Sequence, residues 1–139
     1  MEAALKAQCI PVLRDLGFKG TFPHYFRDTN DFVALVTFQF FSSGGSFCVN
    51  IGYADPQRKN VSFRPETKVK DLRSSQTKDR YRLGAVQGGD RWFHFGKTSY
   101  EEFRGTPSPV TELALTCSQL FTSEAANWWL SKQAGHSDA

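Results

Sequence analysis

Residues 31–55, DFVALVTFQFFSSGGSFCVNIGYAD, form two alternating apolar runs separated by SSGG, and no other stretch restricts the fold so tightly. Alternation at period two is the mark of a half-buried strand, and a short Gly-containing loop joins two such strands as a β-hairpin. With 42–45 as the loop and Phe41 opposite Ser46, Phe40 faces Phe47, Phe38 faces Val49, Val36 faces Ile51 and Ala34 faces Tyr53. That side is continuously apolar and belongs to a core. The other side carries Val33, Leu35, Thr37, Gln39 and Phe41 beside Ser46, Cys48, Asn50 and Gly52, because successive side chains point to opposite faces.

At 139 residues, with 40% hydrophobic and 22% charged residues, the chain suits one globular domain. Its ordered core is expected over about 3–133, with 134–139 a flexible tail. The three cysteines, Cys9, Cys48 and Cys117, are odd in number and form no C-x-x-C pair, which points to a reducing, cytoplasmic compartment. No run approaches the ~20 apolar residues of a membrane span. The amphipathic first 16 residues contain Glu2 and Asp15, unlike a signal peptide.

Along the chain, residues 4–16 place Leu5, Cys9, Val12, Leu13 and Leu16 on one side of a helix, with Gly17 positioned to cap it and Pro11 expected to kink or restart it. Residues 18–27 read as a first strand, in which Pro23 marks an edge or bulge. Residues 61–64 read as a short strand. Residues 80–86 and 91–96 alternate on either side of QGGD and read as a second hairpin, Val86 opposite Arg91. That register puts Arg80, Arg82, Gly84, Phe93 and Phe95 on one face and Tyr81, Leu83, Ala85, Trp92 and His94 on the other. A helical turn is expected within 99–104. Ser108-Pro109 then opens a helix whose buried face is Val110, Leu113, Ala114, Cys117, Leu120 and Phe121. Ser123-Glu124 begins another, carrying Trp128 and Trp129 and ending near Gly135. The expected class is α+β: a single antiparallel sheet packed on one face by N-terminal and C-terminal helices.

Gly17-Phe18, Phe26-Arg27, Phe38-Gln39-Phe40, Val49-Asn50-Ile51-Gly52, Arg82-Leu83-Gly84 and Arg91-Trp92-Phe93 resemble the bacterial family catalogued as domain of unknown function 4304. The resemblance extends from the first helix to the Trp pair. It implies a small bacterial α+β domain and brings no activity, cofactor or catalytic residue. By analogy, small domains of this general sort include immunity or binding partners in toxin systems.

Gly96-Lys97-Thr98 ends like a phosphate-binding loop, but Arg91 stands where that motif needs glycine. His24, His94 and His136 lack metal-ligand spacing, so neither metal nor cofactor is expected. A Cys48/His94 pair on neighbouring strands is the sole enzymatic candidate, weighed against Cys48 as an inert small hydrophobe. Two binding surfaces remain. Gln39 and Asn50 share a face one pairing step apart, and amides at interior strand positions require partners. With Arg80, Arg82, Trp92 and an exposed tryptophan at Trp129, they make a surface for another protein, the alternative being an internal network that pins register. Residues 56–82 hold nine basic against three acidic residues, a local +6 that leaves −3 elsewhere. Arg58, Lys59, Arg64, Lys68, Lys70 and Arg73, with Phe63 and Tyr81 for stacking, make that segment the nucleic-acid alternative. The reading is a non-catalytic protein-binding or immunity-type domain.

Overall fold

The computed structural model of the chain describes residues 1–84 and 91–137. Helix α1 (Glu2–Asp15) leads into strands β1 (Lys19–Thr21), β2 (His24–Asp28), β3 (Val33–Phe40), β4 (Ser46–Ala54), β5 (Asp79–Arg82) and β6 (Phe93–His94). Helices α2 (Val110–Leu120) and α3 (Ala126–Ser137) follow, joined without a break by a π-helical turn, Phe121–Ala125. All six strands form one antiparallel sheet in the order β1-β2-β3-β4-β5, and β6 also pairs with β4. The protein is α+β, as its sequence predicts.

The β3–β4 register is the predicted one: Phe40 faces Phe47, Phe38 faces Val49, Val36 faces Ile51 and Ala34 faces Tyr53. Those residues, with Tyr25, Leu83 and Phe93, form the main core with Leu5, Cys9 and Leu13 of α1, Ala114 and Cys117 of α2, and Phe121, Ala125 and Trp129 beyond. Trp129 donates its indole N–H to the Gly52 carbonyl at 2.8 Å, so the last helix is tied to the main chain of the central strand.

Helix α1 runs through Pro11 as one helix, which removes the restart from the two expected outcomes. Proline cannot donate to the carbonyl of Ala7, but both residues are exposed, where solvent serves that oxygen. The helix stops at Gly17, whose φ of +92° no other residue adopts so readily. The Gly17 N–H donates to Arg14 and the Phe18 N–H to Leu13, the two bonds of a Schellman stop. Arg14 then reaches past the cap, its guanidinium donating to the carbonyls of Phe18 and Gly20 along the outer edge of β1.

The expected first strand over 18–27 is two strands. Phe22-Pro23, a cis peptide, lies in the turn between β1 and β2, so proline marks a reversal of direction. The segment 80–96 also differs from expectation. Val86 lies outside the described residues, and β5 and β6 both pair with β4: Tyr81 faces Ile51, and Phe93 faces Phe47. Nine residues of β4 accommodate the two short strands end to end along one edge. Leu83 and Phe93 are consequently core partners, with Tyr81 and Phe95 packed against them. Arg80, Arg82 and His94 fall on the opposite side, opposite Gly52, Asn50 and Ser46.

Residues 61–64 contribute an isolated bridge, Val61 to Thr77, rather than a strand, and 99–104 forms turns. Two short 3-10 turns, Val69–Asp71 and Ser74–Gln76, complete a flap over 55–78. Its Val61 and Leu72 cover Val33, Leu35 and Ala54 in a second, smaller core on the other side of the sheet. Asn60 fastens the flap: its side-chain amide donates to the Tyr53 carbonyl and to Asp79, both at 2.6 Å, and accepts from the Asp55 N–H at 3.0 Å. The flap presses so closely that a Cβ on Gly52 would stand 3.0 Å from Ser74 Cα, so any larger residue there requires the flap to give by a few tenths of an ångström.

Helix α2 begins one residue later than expected, with Pro109 as its N-cap and Val110 exposed. Ser123 starts no helix, because the π turn carries the chain straight on. One extra residue in that turn rotates Glu124 toward the sheet, where it accepts from the Tyr81 hydroxyl and from the Gly84 N–H. The final helix extends to Ser137, past the expected stop near Gly135.

Candidate functional site

The flap covers only one end of the sheet's second face. Beyond it an open groove of about 380 Å³ is lined by Gln39, Asn50, Ser74, Ser75, Arg80, Tyr81 and Arg82. Four of the six residues singled out in the sequence as a protein-binding surface therefore meet there. Cross-strand pairing brings them together: Thr37 faces Asn50 on β4, and Asn50 faces Arg82 on β5.

Hydrogen bonds run through these side chains in one direction. Arg82 donates Nε–H to Asn50 Oδ1 at 3.3 Å, and Asn50 donates Nδ2–H to Gln39 Oε1 at 2.8 Å. The Cys48 thiol points to the same Gln39 oxygen at 3.8 Å. Since guanidinium only donates, it fixes the orientation of the Asn50 amide, which in turn fixes that of Gln39. The internal network read from the sequence exists, with Arg82 as its donor, and Gln39 at its end is exposed.

Trp92 and Phe41 lie beyond Arg82, outside the groove's lining. The two rings meet edge to face at 5.7 Å; Arg82 lies over Trp92 at 5.2 Å, and Arg104 lies 3.9 Å from the centre of Phe41 and 5.2 Å from that of Trp92. Arg104 belongs to an irregular segment, and no local pattern marked it. Ser74 and Ser75 were missed for the same reason, since they reach the groove through the flap.

Trp129 is corrected as a surface residue. It is 2% exposed, packed on Phe18 at 5.3 Å and roofed by the Arg27 guanidinium. Its neighbour Trp128 is the more accessible of the pair, stacked on Tyr81 with Lys132 over its ring. That stack, on the helix side of the sheet, also removes Tyr81 as a platform for nucleic-acid bases.

The basic segment serves the flap in part. Arg58 donates to the carbonyls of Pro65 and Thr67, and Arg73 to those of Lys70 and Leu72. Lys59, Arg64, Lys68 and Lys70 are exposed, and Arg64 covers the ring of Phe63, which is itself 60% exposed.

Cys48 and His94 share a face on neighbouring strands, but His94 faces Ser46. Its Nδ1 lies 2.7 Å from Ser46 Oγ, and Ser46 is buried. On the β2 side His24 Nδ1 lies 3.1 Å from Thr37 Oγ1. Both imidazoles titrate below their ordinary 6.5, His24 through burial and then Arg73, His94 through burial and then Arg104. The unfolded chain therefore takes up protons near pH 6.5 that the folded one refuses. Stability should be level above that pH and fall as acid carries it from 6.5 toward the lower folded values. Thermal unfolding followed from about pH 7.5 to 5.5 checks this: a falling Tm, flattened in His24→Gln/His94→Gln, is expected, and a Tm that rises on acidification contradicts it.

Among the described residues no three His, Cys, Asp or Glu side chains converge to hold a metal, and no helix is long and apolar enough to cross a membrane.

Fold and groove together define a small single-sheet α+β domain, helix-covered on one face and open over part of the other. The family model described as Domain of unknown function (DUF4304) matches residues 9–105, from α1 through the loop that carries Arg104. The chain belongs to this family. The match ends before α2, so the Trp pair lies beyond it, whereas the sequence resemblance was expected to reach that far. Searches of curated proteins and of solved structures returned no match.

Proposed function

We propose that the chain is a non-catalytic binding domain, of a bacterial accessory or immunity type and cytoplasmic, that docks another protein on the second face of its sheet. The observation that carries this reading is the unfinished cover of that face. The flap seals one end over Val33, Leu35 and Ala54, while Gln39, Asn50, Arg80 and Arg82 stay at the surface of a groove. Arginine and tryptophan beside it are residue types that anchor interfaces. The three free thiols suit a reducing compartment.

Affinity capture from a bacterial lysate, with and without nuclease and at two salt concentrations, followed by hydrogen exchange on the recovered complex, tests it. One stoichiometric protein that survives nuclease and protects β3, β4 and β5 is expected. A complex whose protection falls on the helices, with none on these strands, contradicts the reading.

A second reading is nucleic-acid binding by the flap, favoured by the exposed Phe63 under Arg64 with Lys59, Lys68 and Lys70 nearby. It requires recovery of nucleic acid, lost steeply as salt rises.

A further inference from the structure

The docking reading leaves open what chemistry the groove selects, and the direction of its hydrogen bonds answers that. Both amide oxygens are taken internally: Asn50 Oδ1 by Arg82 and Gln39 Oε1 by Asn50. Each oxygen thus already serves an internal donor and has reduced capacity to accept from anything entering the groove. The amide groups offer it their NH2 ends, two hydrogens from Gln39 and the second hydrogen of Asn50. Arg80 adds a guanidinium; among the described residues it has no hydrogen bond or ion pair, and none of those that line the groove is acidic. Arg82 and, over the Phe41–Trp92 pair beyond it, Arg104 add two more positive charges. A groove rich in donors, two of them cationic, favours an anionic acceptor.

The aromatic pair beyond Arg82 helps to decide which anion. Single-stranded nucleic acid held without sequence preference needs ring faces on which bases can stack. Here guanidinium groups already cover Phe41 and Trp92, and each ring meets the other edge to face. The pair presents positive charge in place of a stacking surface. Carboxylates match the planar donor fork of arginine, and an extended chain can place one every second residue on the same side.

We propose that the groove is a carboxylate-binding cleft that receives an extended Asp/Glu-rich segment of the partner protein. This rests on the docking reading and narrows it to one ligand chemistry. Arg80 is the unpaired anchor, and the Gln39 and Asn50 amides bond the carboxylate oxygens beside it. Arg82 and Arg104 supply the surrounding potential, which draws an acidic segment in and makes association weaken with salt.

The test uses fluorescence anisotropy with labelled octaglutamate, octaglutamine and oligothymidylate as probes. The proteins compared are the full-length chain, Arg80→Glu, and Lys6→Glu as a control on α1, outside the groove. Octaglutamate should bind at least roughly tenfold more tightly than octaglutamine, about 1.4 kcal/mol, and lose at least that factor in Arg80→Glu while Lys6→Glu leaves it unchanged. Equal binding of the two peptides, indifference to Arg80→Glu, or oligothymidylate bound more tightly with the same dependence on Arg80, each overturns the carboxylate assignment. The captured complex separates this failure from that of the docking reading. A partner that protects β3, β4 and β5 yet binds Arg80→Glu undiminished sinks the carboxylate cleft alone, whereas one that protects only the helices sinks both.

Discussion

Trp129→Ala should remove roughly 3–5 kcal/mol of stability, a drop in Tm on the order of 10–20 °C for a chain of this size. Truncating a fully buried indole leaves a cavity between α3 and the sheet, where Phe18 and the Arg27 guanidinium now close over it. It also strips the Gly52 carbonyl of its buried donor, an orphaned group that adds to the cost. Urea unfolding measures the change, with Trp128→Ala as comparison. Trp128 is half-buried and stacks on Tyr81, so its loss should cost far less. Equal losses from the two variants would mean that the pair had been assigned the wrong way round.

Asn60→Ala should cost about 2–3 kcal/mol, concentrated in the flap. Three hydrogen bonds converge on that side chain, two of them buried, at the flap's own start at Asp55 and the end of β4 at Tyr53, and one part-buried, at the start of β5 at Asp79. Asn60→Asp keeps the shape but replaces two donors with oxygen facing the Tyr53 carbonyl and the Asp79 carboxylate, and should be worse still. Hydrogen exchange across 58–78 should rise well before the sheet itself opens. Unchanged exchange there, with urea unfolding within about 0.5 kcal/mol of the parent, would show that Val61 and Leu72 hold the flap without Asn60. Because Ser74 and Ser75 form one wall of the groove, loosening the flap should also weaken whatever docks there.

What could be read in the sequence follows from how local each signal is. The central hairpin was legible to the exact pair, because eight alternating positions leave one register that buries all the apolar side chains, and a slip would expose them. Gly17 was legible because a helix stop needs a left-handed residue within one turn. The segment 80–96 was not, since its faces depend on which strand it pairs with, and β4, a partner distant in sequence, pairs with both halves. The turn at Pro23 was missed, and read as an edge or bulge, because two three-to-five-residue strands read like one longer strand. Of the groove, Gln39 and Asn50 were legible because amides in a strand stand out against their neighbours. Arg80 and Arg82 followed from their alternation. Arg104, Ser74 and Ser75 arrive through irregular chain, where sequence carries no period to follow. The Trp pair showed that one member must be less buried, but choosing it required knowing how the π turn sets the rotation of the last helix.

Arg14 bears on the opposite edge of the molecule. By bonding the Phe18 and Gly20 carbonyls, it occupies the acceptors through which another chain could lengthen the sheet at β1. A bare edge is an invitation to strand addition, the first step toward fibrils and mispaired dimers. Here any newcomer must first evict a cation already seated on two main-chain oxygens. The protein can thus be concentrated without templating its own polymerisation from that side.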